Sequence, residues 1–288
     1  MNRLSLVIPY HSNKEWLFEC VESAQGQAQD ELIVIDDSGL ATQLGDELKQ
    51  RFGARAPTYI KNEKNLGIGA TWNKAIAVAK GALICLLHAD DRLNEGYVSE
   101  AMALHERHPR AAAYFTGADV INQSGRAIVS WPELFKDLRV PYHEGDLVLK
   151  GERALAQLCK AQFIVCPTII YHRALLGPGP YFREDLKQVL DFDFLARLLL
   201  EGHELVGRPY KRLYQFRRSG QSQTDRNSKN LSRYDEERRL MFEIADRAQS
   251  MGWAEVDREA RSLRLLRLHA VYRALRTLSL RPLLALRG

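Results

Sequence analysis

The sequence is poor in the features that mark several large protein classes. It has four cysteines, Cys20, Cys85, Cys159 and Cys166, and their spacings match no paired metal site. Cys85 sits inside an apolar run, which reads as a packed free thiol. No uninterrupted apolar stretch approaches the roughly 20 residues of a membrane span. The first apolar run is broken at Pro9 and His11, short of a signal-peptide core, so the expected location is the cytoplasm. No Gly-x-Gly-x-x-Gly follows the first strand pattern, and no Walker-type Gly-Lys-Ser/Thr occurs. Those absences argue against a dinucleotide oxidoreductase and against a P-loop NTPase. There is no internal repeat.

What is present is an ordinary globular composition, 45% hydrophobic and 27% charged, over 288 residues. That length suffices for one large α/β domain with an appendage. The first half alternates short apolar strands with helical patterns, as expected of a mostly parallel sheet flanked by helices. Strands are expected over residues 4–9, 31–35, 58–61 and 82–87, with helices over 16–25, 42–52, 70–79 and 95–108. Residues 117–150 carry Trp131-Pro132, Pro141 and several glycines and read as loops. Further on, strands are expected near 111–116, 168–171 and 214–216, and helices over 151–160, 191–201 and from 231 onward.

Three loops follow carboxyl ends of strands: Pro9-Tyr10-His11, Asp36-Asp37-Ser38 and His88-Ala89-Asp90-Asp91. Ligands of open α/β sheets bind at that edge. Adjacent carboxylates there suit a hard divalent cation bridging to a diphosphate. For His88-Ala89-Asp90-Asp91 the alternative is a strand followed by an Asp-rich turn that caps the next helix.

Four motifs occur in order: Ser5-Leu6-Val7-Ile8-Pro9-Tyr10, Ile33-Val34-Ile35-Asp36-Asp37-Ser38-Gly39, Asn65-Leu66-Gly67 with Asn73, and Leu87-His88-Ala89-Asp90-Asp91. This series resembles the nucleotide-sugar-binding half of family 2 glycosyltransferases, which implies the Rossmann-like GT-A fold and an inverting transfer from a nucleoside-diphosphate sugar. Carried over by position, the resemblance puts Pro9 and Asp37 beside the nucleobase and ribose, and counts Tyr10, His11, Asn65 and Lys74 among the donor-binding residues. It implies Asp90 as the ligand of Mn²⁺ or Mg²⁺, with Asp91 supporting it or touching the donor sugar. A UDP-sugar is the favoured donor, and a glycan or lipid-linked hydroxyl, as in cell-surface polysaccharide synthesis, the implied acceptor. The sequence departs from the family pattern where His88 replaces the usual Asp and His11 the usual Asn. His88 could change metal preference or bind the sugar; its plain alternative is a partly buried histidine bonded to backbone.

Downstream, Leu190-Asp191-Phe192-Asp193-Phe194-Leu195-Ala196-Arg197-Leu198 resembles the family segment whose first Asp is the catalytic base, here Asp191, with Leu190 in place of the usual Glu. Asp193 would then favour the helix N-terminus, and Glu184 and Asp185 are reserve candidates for the base. The plain alternative makes Asp191 an N-cap only. The loop beginning Arg217-Arg218-Ser219-Gly220 resembles the family's basic, serine-rich loop. Arg217 and Arg218 either neutralise the departing diphosphate or are solvated.

These readings divide the chain into a GT-A domain over 1–228, with a nucleotide-sugar half over 1–116 and an acceptor half over 117–228, and a helical region over 229–288. The net charge of +5 is concentrated in that last region, from Arg258 to Arg287. Leu268, Val271, Tyr272, Leu275 and Leu278 follow helical spacing among the arginines. Such a helix could pack on the domain, form a homodimer, or lie on the anionic inner face of a membrane. Nucleic acid is not expected, because no aromatic-and-basic module accompanies the charge. Two rivals to an active transferase are a metal-dependent nucleotidyltransferase and a degenerate sugar-nucleotide-binding subunit. The first would need a basic, glycine-rich loop where Tyr10-His11-Ser12-Asn13 stands.

Overall fold

A computed structural model describes residues 4–130, 134, 137–141, 143–218, 232–264, 266–268 and 270–271. The first half is built from β1 (Leu4–Tyr10), α1 (Lys14–Gln25), β2 (Glu31–Asp36), α2 (Leu44–Phe52), β3 (Thr58–Lys61), α3 (Ile68–Val78) and β4 (Leu83–Leu86). The remainder comprises β5 (Arg92–Leu93), α4 (Tyr97–Arg107), β6 (Ala111–Ile121), β7 (Leu147–Lys150), α5 (Gly151–Lys160), β8 (Ile170–His172), α6 (Leu190–Leu200), β9 (Glu204–Arg217), α7 (Ser232–Ser250) and α8 (Ala254–Ser262).

These strands form one sheet in the order β3-β2-β1-β4-β8-β6-β9-β5, with β7 also paired to β9. From β3 to β4 every pairing is parallel. The helices between these strands supply the crossovers that parallel neighbours need. Beyond β4 the sheet is mixed: β8 runs antiparallel to β4 and β6, whereas β6 and β9 are parallel. Both faces are covered, and side chains alternate between two apolar cores. Leu4, Leu6 and Ile8 of β1 point to a core shared with α1, α2 and α4, while Val7 points to one shared with α3, α5 and α6. Each fully buried Leu or Ile contributes about 1.5–3 kcal/mol of transfer free energy, which is why these runs are nearly all apolar.

The second core extends into the C-terminal helices. Tyr234, Leu240, Met241, Ile244, Val256, Ala260 and Leu266 are buried in the same cluster as Leu190, Leu195 and Leu198. Helices α7 and α8 therefore lie on the sheet's α6 face, held further by Lys160–Glu255 and by Glu152 accepting from the Glu255 N–H. Leu268 and Val271 lie half-exposed, while Tyr272, Leu275 and Leu278 fall outside the described residues, as does the expected domain boundary near 228. No helix among the described residues is long and apolar enough to cross a membrane.

Two strands are longer than their local sequence suggests. β6 continues through Gly117 to Ile121, and β9 runs 14 residues. Their ladder shifts register between Thr116 and Ala118, opposite Arg208 and Arg212. At that bulge a Cβ on Gly117 would stand 2.0 Å from the Pro209 carbonyl oxygen, so only glycine fits. Gly117, at the edge of the stretch expected as loop, and Pro209 are the components of a kink inside a continuous pair.

Candidate active site

The parallel ladder aligns Tyr10 with Asp36 and Asp36 with Lys61. Beyond the strand ends the pairing continues: the Asp37 N–H donates to the Tyr10 carbonyl, Asn62 to Asp36, and Leu87 to Val7. Four strands thus deliver Pro9–His11, Asp36–Ser38, Asn62 and His88–Asp91 to one edge of the sheet.

At the left of that edge, Asp36 and Asp37 have different surroundings. Asp36 is fully buried and accepts from Tyr59 Oη at 2.5 Å, the Ser38 N–H at 2.9 Å and Thr42 Oγ1 at 3.1 Å. Burial alone would raise its pKa, but these donors together outweigh it and hold the carboxyl below the ordinary value. The Asp37 carboxylate accepts from Asn62 Nδ2 at 2.8 Å and from the N–H groups of Leu66 and Gly67 at 2.7 and 3.1 Å. Gly67 lies at φ +85°, a conformation glycine adopts without strain, and opens α3. Asp37 therefore ties the end of β2 to the N-terminus of α3. Asn65 Nδ2 donates to the Asp37 carbonyl at 2.7 Å and stands 3.2 Å from His11 Nδ1. Lys74 Nζ reaches Asn62 Oδ1 at 2.5 Å. The structure thus brings His11, Asp37, Asn65 and Lys74 into one hydrogen-bonded group.

The acidic pair after β4 is held from the far end of β9. β5 pairs Arg92 with Gln215 and Leu93 with Tyr214, drawing β9 alongside the motif. Asp91 is fully buried; its Oδ1 accepts from the Arg217 N–H at 2.7 Å and its Oδ2 from Tyr214 Oη at 3.0 Å. Burial, reinforced by the charge of Asp90, pushes the Asp91 carboxyl well above its ordinary pKa, against the pull of those two donors. His88 is fixed at its backbone: its N–H donates to Tyr214 Oη at 3.3 Å and its carbonyl accepts from Cys20 Sγ at 3.4 Å. Its ring packs 5.5 Å from Trp72, and burial lowers its pKa, with the Asp90 charge acting in opposition.

His88, Asp90 and Asp91 each offer a ligand atom, all within 4.8 Å of one another. Arms of about 2.1 Å to an octahedral ion put neighbouring ligands near 3 Å and opposite ones near 4.2 Å, so small side-chain adjustments bring these groups into range. His88 Nε2 is enclosed without a hydrogen-bond partner, and Asp91 is a fully buried acid beside the charge of Asp90. Both observations fit a divalent cation.

Arg217 is placed differently from either sequence expectation. Its side chain is fully buried and turned inward: Nε donates to the Asp90 carbonyl at 2.6 Å, Nη1 to the carbonyls of Gln123 and Asn122, and Nη2 to Glu19 at 2.6 Å. It is neither solvated nor aimed at the rim; it anchors the backbone that carries Asp90. Arg218 continues the ladder, its N–H donating to Ile121, with its guanidinium over the Phe216 ring. Ser219–Thr224 lie outside the described residues.

The helix carrying Asp191 is linked to the His88 turn by a chain of ring contacts. Trp72 contacts both His88 and Phe182, and Phe182 contacts Phe194 of α6 at 5.2 Å between ring centres. Asn73 secures the bridge, accepting from the N–H groups of Tyr181 and Phe182 and donating to the Phe182 carbonyl. Asp191 is half-buried in the first turn of α6. Asp193 is buried and paired with Arg197 at 2.9 Å and Arg183 at 3.7 Å. Of the reserve candidates, Asp185 pairs with Arg183 and Arg239 at 2.9 Å. Val189 offers no side-chain cap; instead Glu236 of α7 accepts from the N–H groups of Lys187, Gln188 and Val189 at 2.6–3.1 Å. Neither Glu236 nor Tyr214 carried a local motif. Tyr214 stood in a recognisable strand, but nothing in the sequence linked it to Asp91.

A parallel half-sheet with an acidic carboxyl edge, continued by a mixed half, is a GT-A architecture, shared with Staphylococcus aureus TarS residues 1–349. The profile of Glycosyl transferase family 2 matches residues 5–176, and the chain belongs to that family. It is 28% identical over 216 residues to Uncharacterized protein MT1568 of Mycobacterium tuberculosis, covering 68% of this chain and 62% of that one. It is 29% identical over 201 residues to Uncharacterized glycosyltransferase MJ1057 of Methanocaldococcus jannaschii, covering 68% and 63%. The chain thus spans less than two thirds of either relative. Among solved structures, Staphylococcus aureus TarS residues 1–349 in complex with UDP-GlcNAc superposes with a TM-score of 0.67 at 19% identity, over 92% of this chain and 72% of that one. That likeness is one of fold.

Proposed function

We propose that this glycosyltransferase transfers a sugar from a nucleoside-diphosphate sugar to a hydroxyl of a glycan or lipid-linked acceptor with inversion, as in cell-surface polysaccharide synthesis. The observation that carries this reading is the chain of ring contacts that links the His88–Asp91 turn, through Trp72 and Phe182, to Phe194 on α6, the helix that bears Asp191. Pro9, Tyr10, His11, Asp37, Asn65 and Lys74 form the nucleoside end of the donor site. UDP is the favoured nucleotide, a choice supported by the UDP-GlcNAc complex of the structural neighbour TarS.

His88, Asp90 and Asp91 would hold Mn²⁺ or Mg²⁺, with Asp90 as the principal ligand; when bound, the ion supplies positive charge to the departing diphosphate. Asp91, locked by Tyr214 and the Arg217 N–H, fixes the turn, and Arg217 holds the Asp90 carbonyl. Asp191 takes the proton from the acceptor hydroxyl. Its place in the first turn of α6 would hold that carboxylate in one orientation, and orientation supplies a large part of a transfer rate. Exposed Leu268 and Val271, with Arg264 and Arg267 beside them, support a cytoplasmic enzyme resting on an anionic membrane face where a lipid-linked acceptor is found.

The reading is tested on Asp191→Asn. Transfer should fall by about three orders of magnitude or more, as expected when a general base is lost. Donor affinity, measured by calorimetry, should stay within about twofold, because the donor edge is built from other elements. Unchanged turnover in the variant would remove Asp191 from the role.

A further inference from the structure

We propose that His88 is a nitrogen ligand of the divalent cation, making this chain's metal centre a mixed imidazole–carboxylate site rather than an all-oxygen one. The inference rests on the metal reading of the His88–Asp91 turn and specifies its chemistry.

Three observations carry it. His88 Nδ1 stands 3.8 Å from Asp91 Oδ2, so the ring presents a nitrogen to the carboxylates, and Nε2 is enclosed without a hydrogen-bond partner. Its neighbour Asp91 already has one protein donor on each oxygen, the Arg217 N–H and Tyr214 Oη, which limits how far that carboxylate can turn toward an ion. The His88 ring is also held in place before any ligand arrives. Cys20 Sγ holds its carbonyl, Tyr214 Oη accepts from its N–H, and Trp72 packs against the ring. A side chain fixed by its surroundings loses little freedom on binding, which favours a ligand over a bystander.

A nitrogen donor changes which ions are favoured. Mg²⁺ prefers oxygen ligands and retains its waters, whereas imidazole suits Zn²⁺ and the later first-row ions. Relative to an all-carboxylate site, this centre should therefore disfavour Mg²⁺ and favour Mn²⁺, Co²⁺ and Zn²⁺. Tyr214 extends the arrangement, because one hydroxyl accepts from the His88 N–H and donates to Asp91, coupling the positions of two ligands.

The test is pulsed electron paramagnetic resonance on the full chain loaded with Mn²⁺ and UDP, beside His88→Asp, which installs the family's usual residue. The wild-type spectrum should show ¹⁴N modulation from a coordinated imidazole, absent in His88→Asp with Mn²⁺ still bound. Competition titrations should show the Zn²⁺-over-Mg²⁺ preference falling by about tenfold or more in the variant, following ligand type. Bound Mn²⁺ without ¹⁴N modulation in the wild type, or modulation that survives in His88→Asp, overturns the assignment and leaves the metal site intact. Failure of the wild type to bind Mn²⁺ at all overturns the metal reading itself. The wild-type spectrum shows whether a nitrogen ligand is present, and the His88→Asp spectrum assigns it to His88.

Discussion

Replacing Glu236 with alanine isolates the link between the C-terminal helices and the proposed base. Glu236 is half-buried and accepts from three successive backbone N–H groups, those of Lys187, Gln188 and Val189, immediately before α6. No side chain of the helix itself caps that end. Loss of a side-chain cap costs about 0.5–2 kcal/mol, and the charged acceptor with three donors places Glu236→Ala at about 2 kcal/mol. At about 2–4 °C per kcal/mol for a chain somewhat smaller than this one, the melting temperature should drop by about 4–8 °C. The catalytic effect should be larger than the thermal one. Asp191 lies two residues beyond Val189, and a displacement of about 1 Å at a catalytic group costs about 100-fold. In steady-state transfer assays kcat should fall by about 10- to 100-fold while donor affinity is held within about twofold, since Asp37, Asn65 and Asp90 sit on other elements. Glu236→Gln, which keeps an acceptor oxygen, should recover part of both losses. Wild-type kcat and melting temperature in Glu236→Ala would refute the view that α7 positions the base. An equal fall in donor affinity would show a general loosening of the fold instead.

Arg217→Met should destabilise the chain by about 3 kcal/mol, read from urea unfolding, because the carbonyls of Asp90, Asn122 and Gln123 lose their donor in a buried site. Glu19, 40% exposed, regains water and adds little. A loss below about 1 kcal/mol would contradict the inward placement of Arg217. Tyr59→Phe removes the 2.5 Å hydrogen bond to Asp36 and should cost about 1–2 kcal/mol at pH 7. The folded pKa of Asp36 is depressed, so its contribution is present above the ordinary carboxylate value and is lost as pH falls through the folded one. Removing Tyr59 raises that folded pKa, so the gap between wild type and variant should narrow as pH drops below about 4. A gap that widens in acid would reverse the assignment. Gly117→Ala should destabilise by several kcal/mol, on the order of a severe overpacking mutation, since its Cβ has no room beside Pro209. Thermal unfolding of that variant close to wild type would mean that the bulge can relax.

The parallel half of the fold was legible because its strands are buried on both faces and read as continuous apolar runs, as in Leu32–Ile35 and Leu83–Leu87. Helix ends were close to expectation, α5 to the residue, and α6 to within one at each end. Strand β9 was visible only over Tyr214–Phe216, because Pro209 and the cations at 208–212 mask a strand whose bulge lies there. β5 is two residues long and exists only because β9 comes alongside it, and β7 lies in a stretch that reads as loop.

Within the site, the acidic pair and the Asp37 turn were readable from sequence, since a strand end fixes where such residues point. What holds them was not. Asp91 is bound by Tyr214 and Arg217, more than a hundred residues away, and Arg217 proved to be a buried anchor rather than a phosphate contact. Long-range partners of this kind depend on the sheet order, which no local pattern encodes. Glu236 is the same case: a helix residue with no local signal caps a helix 46 residues upstream.

The most direct measurement is calorimetric titration of UDP into the wild type and Asp90→Ala, each with and without Mn²⁺. Wild type should bind UDP tightly only with the ion present, by a margin of about tenfold or more, and Asp90→Ala should lose that margin while keeping its fold by circular dichroism. UDP binding of equal strength with and without Mn²⁺, or an Asp90→Ala response identical to wild type, would contradict a metal-assisted nucleotide-sugar site at the end of β4.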